Sequence, residues 1–205
     1  MHGQEFRLKV ETLEDAHVPK AFWELGIDTF PFSNALLMRL RPFTTEQGIK
    51  EALQGLTIFI TGPPDSGKTF LATCLLKMFL CSPQVRHGYY TEPMEATYLN
   101  APANFAEFES TYGVDVLVLD NLEPPPNDFD KTKEAISRLF RLRKDHHGLF
   151  IVVSPLNRHD LAAEFRPVVG AVLEQAVEIV CCEPSGTQRR RTEARNAKFT
   201  HSHDA

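Results

Sequence analysis

The sequence predicts an α/β fold in which a parallel sheet is covered by helices on both faces. Three observations carry this reading. The runs Leu56–Thr61, Val114–Leu119 and Leu149–Val153 are short and almost wholly apolar, as strands buried on both faces must be. Helix-forming stretches alternate with them, which is the pattern of β-α-β units. A Gly/Pro-rich loop follows the first run and opens directly into a helical pattern.

In chain order, 1–18 is mixed and charged and reads as an arm. The next stretch holds Phe22, Trp23, Leu25, Ile27, Phe30 and Phe32, an aromatic density that predicts packing against the main domain. Thr45–Leu53 reads as a helix leading into the strand Leu56–Thr61. Lys68–Leu80 follows, with Leu71, Leu75, Leu76 and Phe79 on one helical face. Gly88–Tyr90 reads as a second strand and Val114–Leu119 as a third. Asp130–Lys144 reads as a helix capped by Asp130, with Ile136, Leu139 and Phe140 inward. Leu149–Val153 is the fourth strand. Val168–Glu178 reads as a helix and Ile179–Cys182 as a short fifth strand. These readings divide the chain into a lead-in over 1–50, a main domain over 51–191 and a polar tail over 192–205.

The 205 residues suit one domain, and 42% hydrophobic with 24% charged is ordinary for a globular protein. A net charge of -5 argues against a globally basic nucleic-acid binder, while leaving room for local basic patches. Cys74, Cys81, Cys181 and Cys182 form no C-x-x-C pair, so no zinc motif is present. The adjacent Cys181 and Cys182 are expected to be buried, reduced and apolar in character. The polar start of the chain is unlike a signal peptide, and no apolar run approaches the ~20 residues of a membrane span. A cytoplasmic location without membrane contact is expected.

The loop reads Gly62-Pro63-Pro64-Asp65-Ser66-Gly67-Lys68-Thr69, a full match to G-x-x-x-x-G-K-[ST] between a strand and a helix, with Phe70 next in the helix. Gly62 and Gly67 let the backbone turn its N–H groups towards a phosphate. The helix presents its positive end to the same anion. Lys68 would bridge the β- and γ-phosphates, and the Thr69 hydroxyl would bind Mg²⁺. Gly62–Phe70 is therefore the candidate site for a nucleoside triphosphate, with ATP and Mg²⁺ as the expected ligands.

Asp120 ends the third strand, where a carboxylate stands beside the phosphate loop and can hold Mg²⁺ through water. Asn121 follows. An amide orients water but takes no proton, so it is a poor general base. Glu123 reads as a substitute base or as a solvated charge before Pro124-Pro125-Pro126. Ser154 and Asn157, at and just past the end of the fourth strand, read as sensors of the γ-phosphate or as turn residues. Arg166 and the run Arg189-Arg190-Arg191 are candidates for phosphate contact, in a nucleotide or a nucleic-acid backbone. Arg138, Arg141 and Arg143 form a basic stripe or a solvated face on one helix. His146 and His147 before Gly148 read as a helix-to-strand turn.

The assembled pattern resembles the AAA+ ATPases of the DnaC and DnaI helicase-loader type and the related IstB-like transposition ATPases. Val18-Pro19-Lys20-Ala21-Phe22 is similar to the "IP-x-x-F" segment before their core. Gly62–Thr69 is their phosphate loop. Val116-Leu117-Val118-Leu119-Asp120-Asn121-Leu122 stands where the family carries two acidic residues. Leu139-Phe140-Arg141-Leu142-Arg143 follows, and Ile151-Val152-Val153-Ser154-Pro155-Leu156-Asn157 resembles the "T-S-N" sensor strand. The resemblance covers about Val18 to Arg191. It implies an AAA+-like P-loop fold and catalytic roles for Asp120, Asn121 and Asn157. It also implies a helicase- or transposase-like protein partner, with DNA contact and oligomers compatible with it. Asn121, the lack of arginine in Pro167–Ala176 and the absence of a separate N-terminal domain point away from fast hydrolysis and classical loading. The alternatives are an ATP-binding adaptor that does not hydrolyse, and a small-molecule P-loop kinase with Arg189–Arg191 as a lid.

Overall fold

A computed structural model describes residues 8–30, 32–124, 129–165 and 167–182. Five strands form one sheet in the order β2-β3-β4-β1-β5: β1 Thr57–Thr61, β2 Gly88–Thr91, β3 Val116–Leu119, β4 Leu149–Ser154 and β5 Val177–Val180. Every pairing is parallel. The helices are α1 Val10–Asp15, α2 Asn34–Leu40, α3 Glu46–Ala52, α4 Lys68–Leu80, α5 Pro93–Leu99, α6 Phe105–Tyr112, α7 Phe129–Asp145, α8 Arg158–Glu164 and α9 Pro167–Glu174. This is the α/β P-loop fold expected.

The strand alternation splits the core into two layers. Ile58, Ile60, Val116, Val118, Leu149, Ile151 and Val153 pack against α4 and the lead-in residues Leu13, Val18, Phe32, Leu36 and Phe43. Phe59, Leu117, Leu119, Phe150 and Val152 face the other way, against α5 to α9. The described part of the lead-in is thus one side of the core, as its aromatic density predicts. Lys77 of α4 fastens it by donating to the carbonyls of Phe22, Trp23 and Leu25. Burial pulls that ammonium below its ordinary pKa.

Several elements differ from expectation. The last strand begins at Val177, paired with Ile58, so the preceding helix stops at Glu174. Apolar residues at 177, 179 and 181 have the period of a strand, and pairing with β1 decides the matter. The third strand starts at Val116, because the Asp115 carboxylate instead accepts from the Arg86 and His87 N–H groups (2.7 and 3.1 Å). α7 begins at Phe129, which puts Asp130 in its first turn rather than at the cap. Of the cysteine pair, Cys181 is buried and Cys182 is exposed, since side chains alternate along the strand direction. The short helices α1, α2, α5, α6 and α8 were not legible from periodicity, each having eight residues or fewer.

Candidate functional site

The loop after β1 takes left-handed backbone angles at Gly62 (φ +147°), Asp65 (φ +57°) and Gly67 (φ +83°), and α4 starts at Lys68. Both glycines are required twice over. A Cβ at Gly62 would stand 2.1 Å from the Cys181 carbonyl oxygen, and one at Gly67 would stand 2.6 Å from the Phe30 ring. The loop is thus clasped between the lead-in and the end of β5.

Ser66 is fully buried inside this turn, and its Oγ has no hydrogen-bond partner among the described residues. A buried hydroxyl left unmade costs ~1–3 kcal/mol, so the loop carries donor capacity that the protein does not use on itself. The Lys68 Nζ donates to the Pro63 carbonyl at 2.6 Å, across the same turn. The first N–H groups of α4 receive no side-chain cap. Pro63, Pro64 and Asp65 are exposed, and Thr69 is half-buried. The Phe70 ring packs with Phe22, Phe30 and Phe32, so its side chain anchors the lead-in. Burial pushes the Cys181 thiol up to about 11, with Lys68 opposing, so a neutral thiol sits next to the loop. Unused N–H and O–H groups beside a lysine are the donor set that an oxyanion of a phosphate requires.

Parallel strands bring the ends of β3 and β4 to the same edge of the sheet as this loop. Asp120 is one strand further away than expected, because β4 lies between β1 and β3. It is only 2% exposed. Its Oδ2 accepts from the Tyr90 hydroxyl at 2.6 Å, and its Oδ1 from the Asn121 N–H at 2.8 Å. Tyr90 is a partner of Asp120 that sequence reading missed. It is raised above its ordinary pKa by burial first and by the Asp120 charge second. A carboxylate has about four acceptor positions, so Asp120 keeps capacity for a metal-bound water. The donor set Thr69 hydroxyl plus Asp120 carboxylate is all oxygen, which suits Mg²⁺.

Asn121 is exposed and left-handed (φ +55°), a conformation Asn tolerates better than most residues. Ser154 is fully buried; its hydroxyl donates to the Leu122 carbonyl (2.6 Å) and accepts from the Leu156 N–H (3.0 Å). Asn157 is the N-cap of α8, accepting from the Asp160 N–H at 2.9 Å and donating to the Asp160 carboxylate at 2.6 Å. Thr61 joins this group by donating to the Leu156 carbonyl at 2.8 Å.

The basic stripe does not form. Arg143 is 4% exposed and donates to the carbonyls of Tyr112, Val114 and Leu149. Burial pulls it down to about 10, with Asp115 opposing. Arg138 lies over the Phe105 ring (3.7 Å) and beside Glu109 (3.4 Å). Only Arg141 of the three is exposed. Arg158, not singled out from sequence, donates to the Glu174 and Ala176 carbonyls below α9. Arg166 and Arg189–Arg191 lie outside the described residues, and Glu123 is exposed.

The chain matches the crystal structure of the DnaC helicase loader with a TM-score of 0.63 at 23% identity, covering 80% of this chain and 99% of that one. It matches domain III of the Thermotoga maritima replication initiation protein DnaA with a TM-score of 0.68 at 15% identity, covering 86% and 74%. It matches a replication initiator DnaA bound to AMPPCP and single-stranded DNA with a TM-score of 0.59 at 17% identity, covering 80% and 50%. No protein-family model and no curated protein matches the chain by sequence. The fold is therefore the AAA+-like P-loop fold that helicase loaders and replication initiators share. The resemblance read from the sequence is found again at the level of that fold.

Proposed function

We propose that the chain binds ATP with Mg²⁺ in the Gly62–Thr69 loop and acts with a DNA-processing protein partner, as helicase-loader and IstB-like ATPases do, in replication, transposition or a mobile element. The observation that carries the reading is the Gly62–Lys68 turn, with its buried, unused Ser66 hydroxyl and two left-handed glycines where a Cβ would collide with Cys181 or Phe30. The shared fold supports it, since a DnaA with this fold is bound to AMPPCP and single-stranded DNA.

In this reading the loop N–H groups and Lys68 hold the phosphates, and Thr69 and Asp120 hold the metal. The ion, when bound, neutralises phosphate charge. Tyr90 keeps the Asp120 carboxylate in place. Asn121 orients water without accepting its proton, so turnover is slow. The test is titration calorimetry of ATP with Mg²⁺ against the whole chain and Lys68→Ala. Binding by the former and none by the latter is expected; equal affinity would overturn the assignment.

A second reading, ATP as a permanent structural ligand of an adaptor, is favoured by Asn121 and by the lack of arginine in Pro167–Ala176. Steady-state hydrolysis separates the two. A positioned base is worth ~100–10,000-fold, so Asn121→Glu accelerates a slow ATPase and leaves a non-hydrolysing adaptor inert.

A further inference from the structure

A groove of about 580 Å³ opens between the end of α1 and α5, lined by His17, Tyr90, Thr91, Glu92, Met94, Glu95 and Tyr98. Its rim is apolar and unusually open to solvent: Met94 is 79% exposed and Tyr98 73%. Large side chains this exposed, side by side on one short helix, are the composition of a binding surface. The other side of α5 is already engaged, since Ala96 and Leu99 are buried in the core and the flanking Thr97 donates to Thr132 of α7 at 3.1 Å. The groove side is the side left for a partner.

The charges in the groove say what kind of partner. Glu95 is fixed, accepting from the Tyr89 hydroxyl (2.6 Å) and the Thr91 hydroxyl (2.8 Å), with His17 at 3.8 Å. Glu92, which also lines the groove, is exposed at the start of the same helix. His17 is the one basic group lining the groove among the described residues. A phosphate backbone would meet carboxylates here and be repelled. An exposed aromatic beside fixed carboxylates instead suits a lysine or arginine whose aliphatic stem lies along Tyr98 and Met94.

We infer that this groove docks a cationic, apolar-flanked segment of a protein partner. The inference supplies the chemistry of the partner contact in the proposed function, and rests on that reading only for the existence of a protein partner. The groove is joined to the nucleotide loop's edge of the sheet through Tyr90 and through Thr91, whose carbonyl accepts from the Asp120 N–H at 2.9 Å. The Tyr90 ring lines it, and the Tyr90 hydroxyl donates to Asp120. A segment seated on Tyr90 therefore touches the residue that orients the acidic strand end.

The experiment uses the full chain and fluorescence anisotropy with three labelled probes: a helical peptide of leucine and lysine, its leucine and glutamate counterpart, and oligothymidine. The lysine peptide is expected to bind and the other two are not. Glu92→Lys should weaken it about tenfold, the scale of one close charge pair, and Tyr98→Ala should weaken it also. Glu107→Lys, on α6 and outside the groove, should change affinity by less than about twofold. Thermal melts check folding; Tyr98 is so exposed that its variant carries the test should Glu92→Lys fail to fold. No binding of the lysine peptide overturns the proposal. So does an equal loss in Glu107→Lys, which would mean unspecific attraction to an acidic protein, and so does oligothymidine binding that the groove variants abolish. ATP affinity, measured in the same variants, should stay as in the unaltered chain. Its loss in the unaltered chain would sink the nucleotide reading and leave the groove standing.

Discussion

The Gly62–Thr69 loop and the tips of β3 and β4 lie at one edge of the sheet, yet they treat their polar groups in opposite ways. In the loop, the Ser66 hydroxyl is buried and unpartnered, and the α4 N-terminus has no side-chain cap. At the strand tips the side chains of Asp120, Ser154 and Asn157 already have partners within the chain. Asp120 accepts from Tyr90 and Asn121, Ser154 is tied to Leu122 and Leu156, and Asn157 is tied to Asp160. One wall is arranged for something outside the chain, and the other is arranged to hold its own shape. A motif residue at a functional address therefore need not have a free side chain there.

Five substitutions sharpen or break this contrast. The largest effect belongs to the loop. Lys68→Ala, and Gly67→Val with its forced clash against Phe30, should each weaken ATP binding by more than about 100-fold in calorimetry, given ~1.5–3 kcal/mol for a charge-assisted contact and the coupled metal. Next is Tyr90→Phe, which leaves a buried carboxylate oxygen without its donor. It should lower unfolding free energy in urea by ~1–3 kcal/mol and loosen Mg²⁺-dependent nucleotide binding more than Mg²⁺-free binding. Asn157→Ala removes a helix cap and should cost ~1 kcal/mol of stability, with ATP affinity unchanged. A large loss of affinity there would show that Asn157 leaves its cap to reach the nucleotide, and the contrast would fail. The smallest effect is Asn121→Gly. Because φ is +55°, glycine fits at least as well, and stability should move by no more than ~0.5 kcal/mol.

What could be read from the sequence followed the range of the interactions. The Gly62–Thr69 motif is contiguous, so its turn and helix were legible, and so was the strand ending on Asp120. The Tyr90–Asp120 bond was not, because it depends on the parallel register of β2 with β3, where Tyr90 stands opposite Val118. Arg143 was misread because charge on a helix defaults to solvent. Its real surroundings are three carbonyls, two from the stretch before β3 and one from the start of β4. Gly148 was the available signal, since a Cβ there would stand 2.5 Å from the Arg143 guanidinium. Asn121 was read only for the proton chemistry it lacks; its left-handed backbone gives a second, purely conformational reason for an amide at that position.

The clasp on the loop has a consequence for how the protein is made. The motif is written in a few consecutive residues, but Gly62 is held against the Cys181 carbonyl, and the Cys181 N–H donates to Thr61 at 2.7 Å. Phe30 closes the other side. During synthesis the glycine turn emerges early and must wait for the last described strand, since Ile58 pairs with Val177. Contacts this distant along the chain are slow to form. The ability to take up nucleotide should therefore appear as one of the final events of folding. A ribosome-bound chain stopped before Val177 would display the full motif without the β5 wall that shapes it.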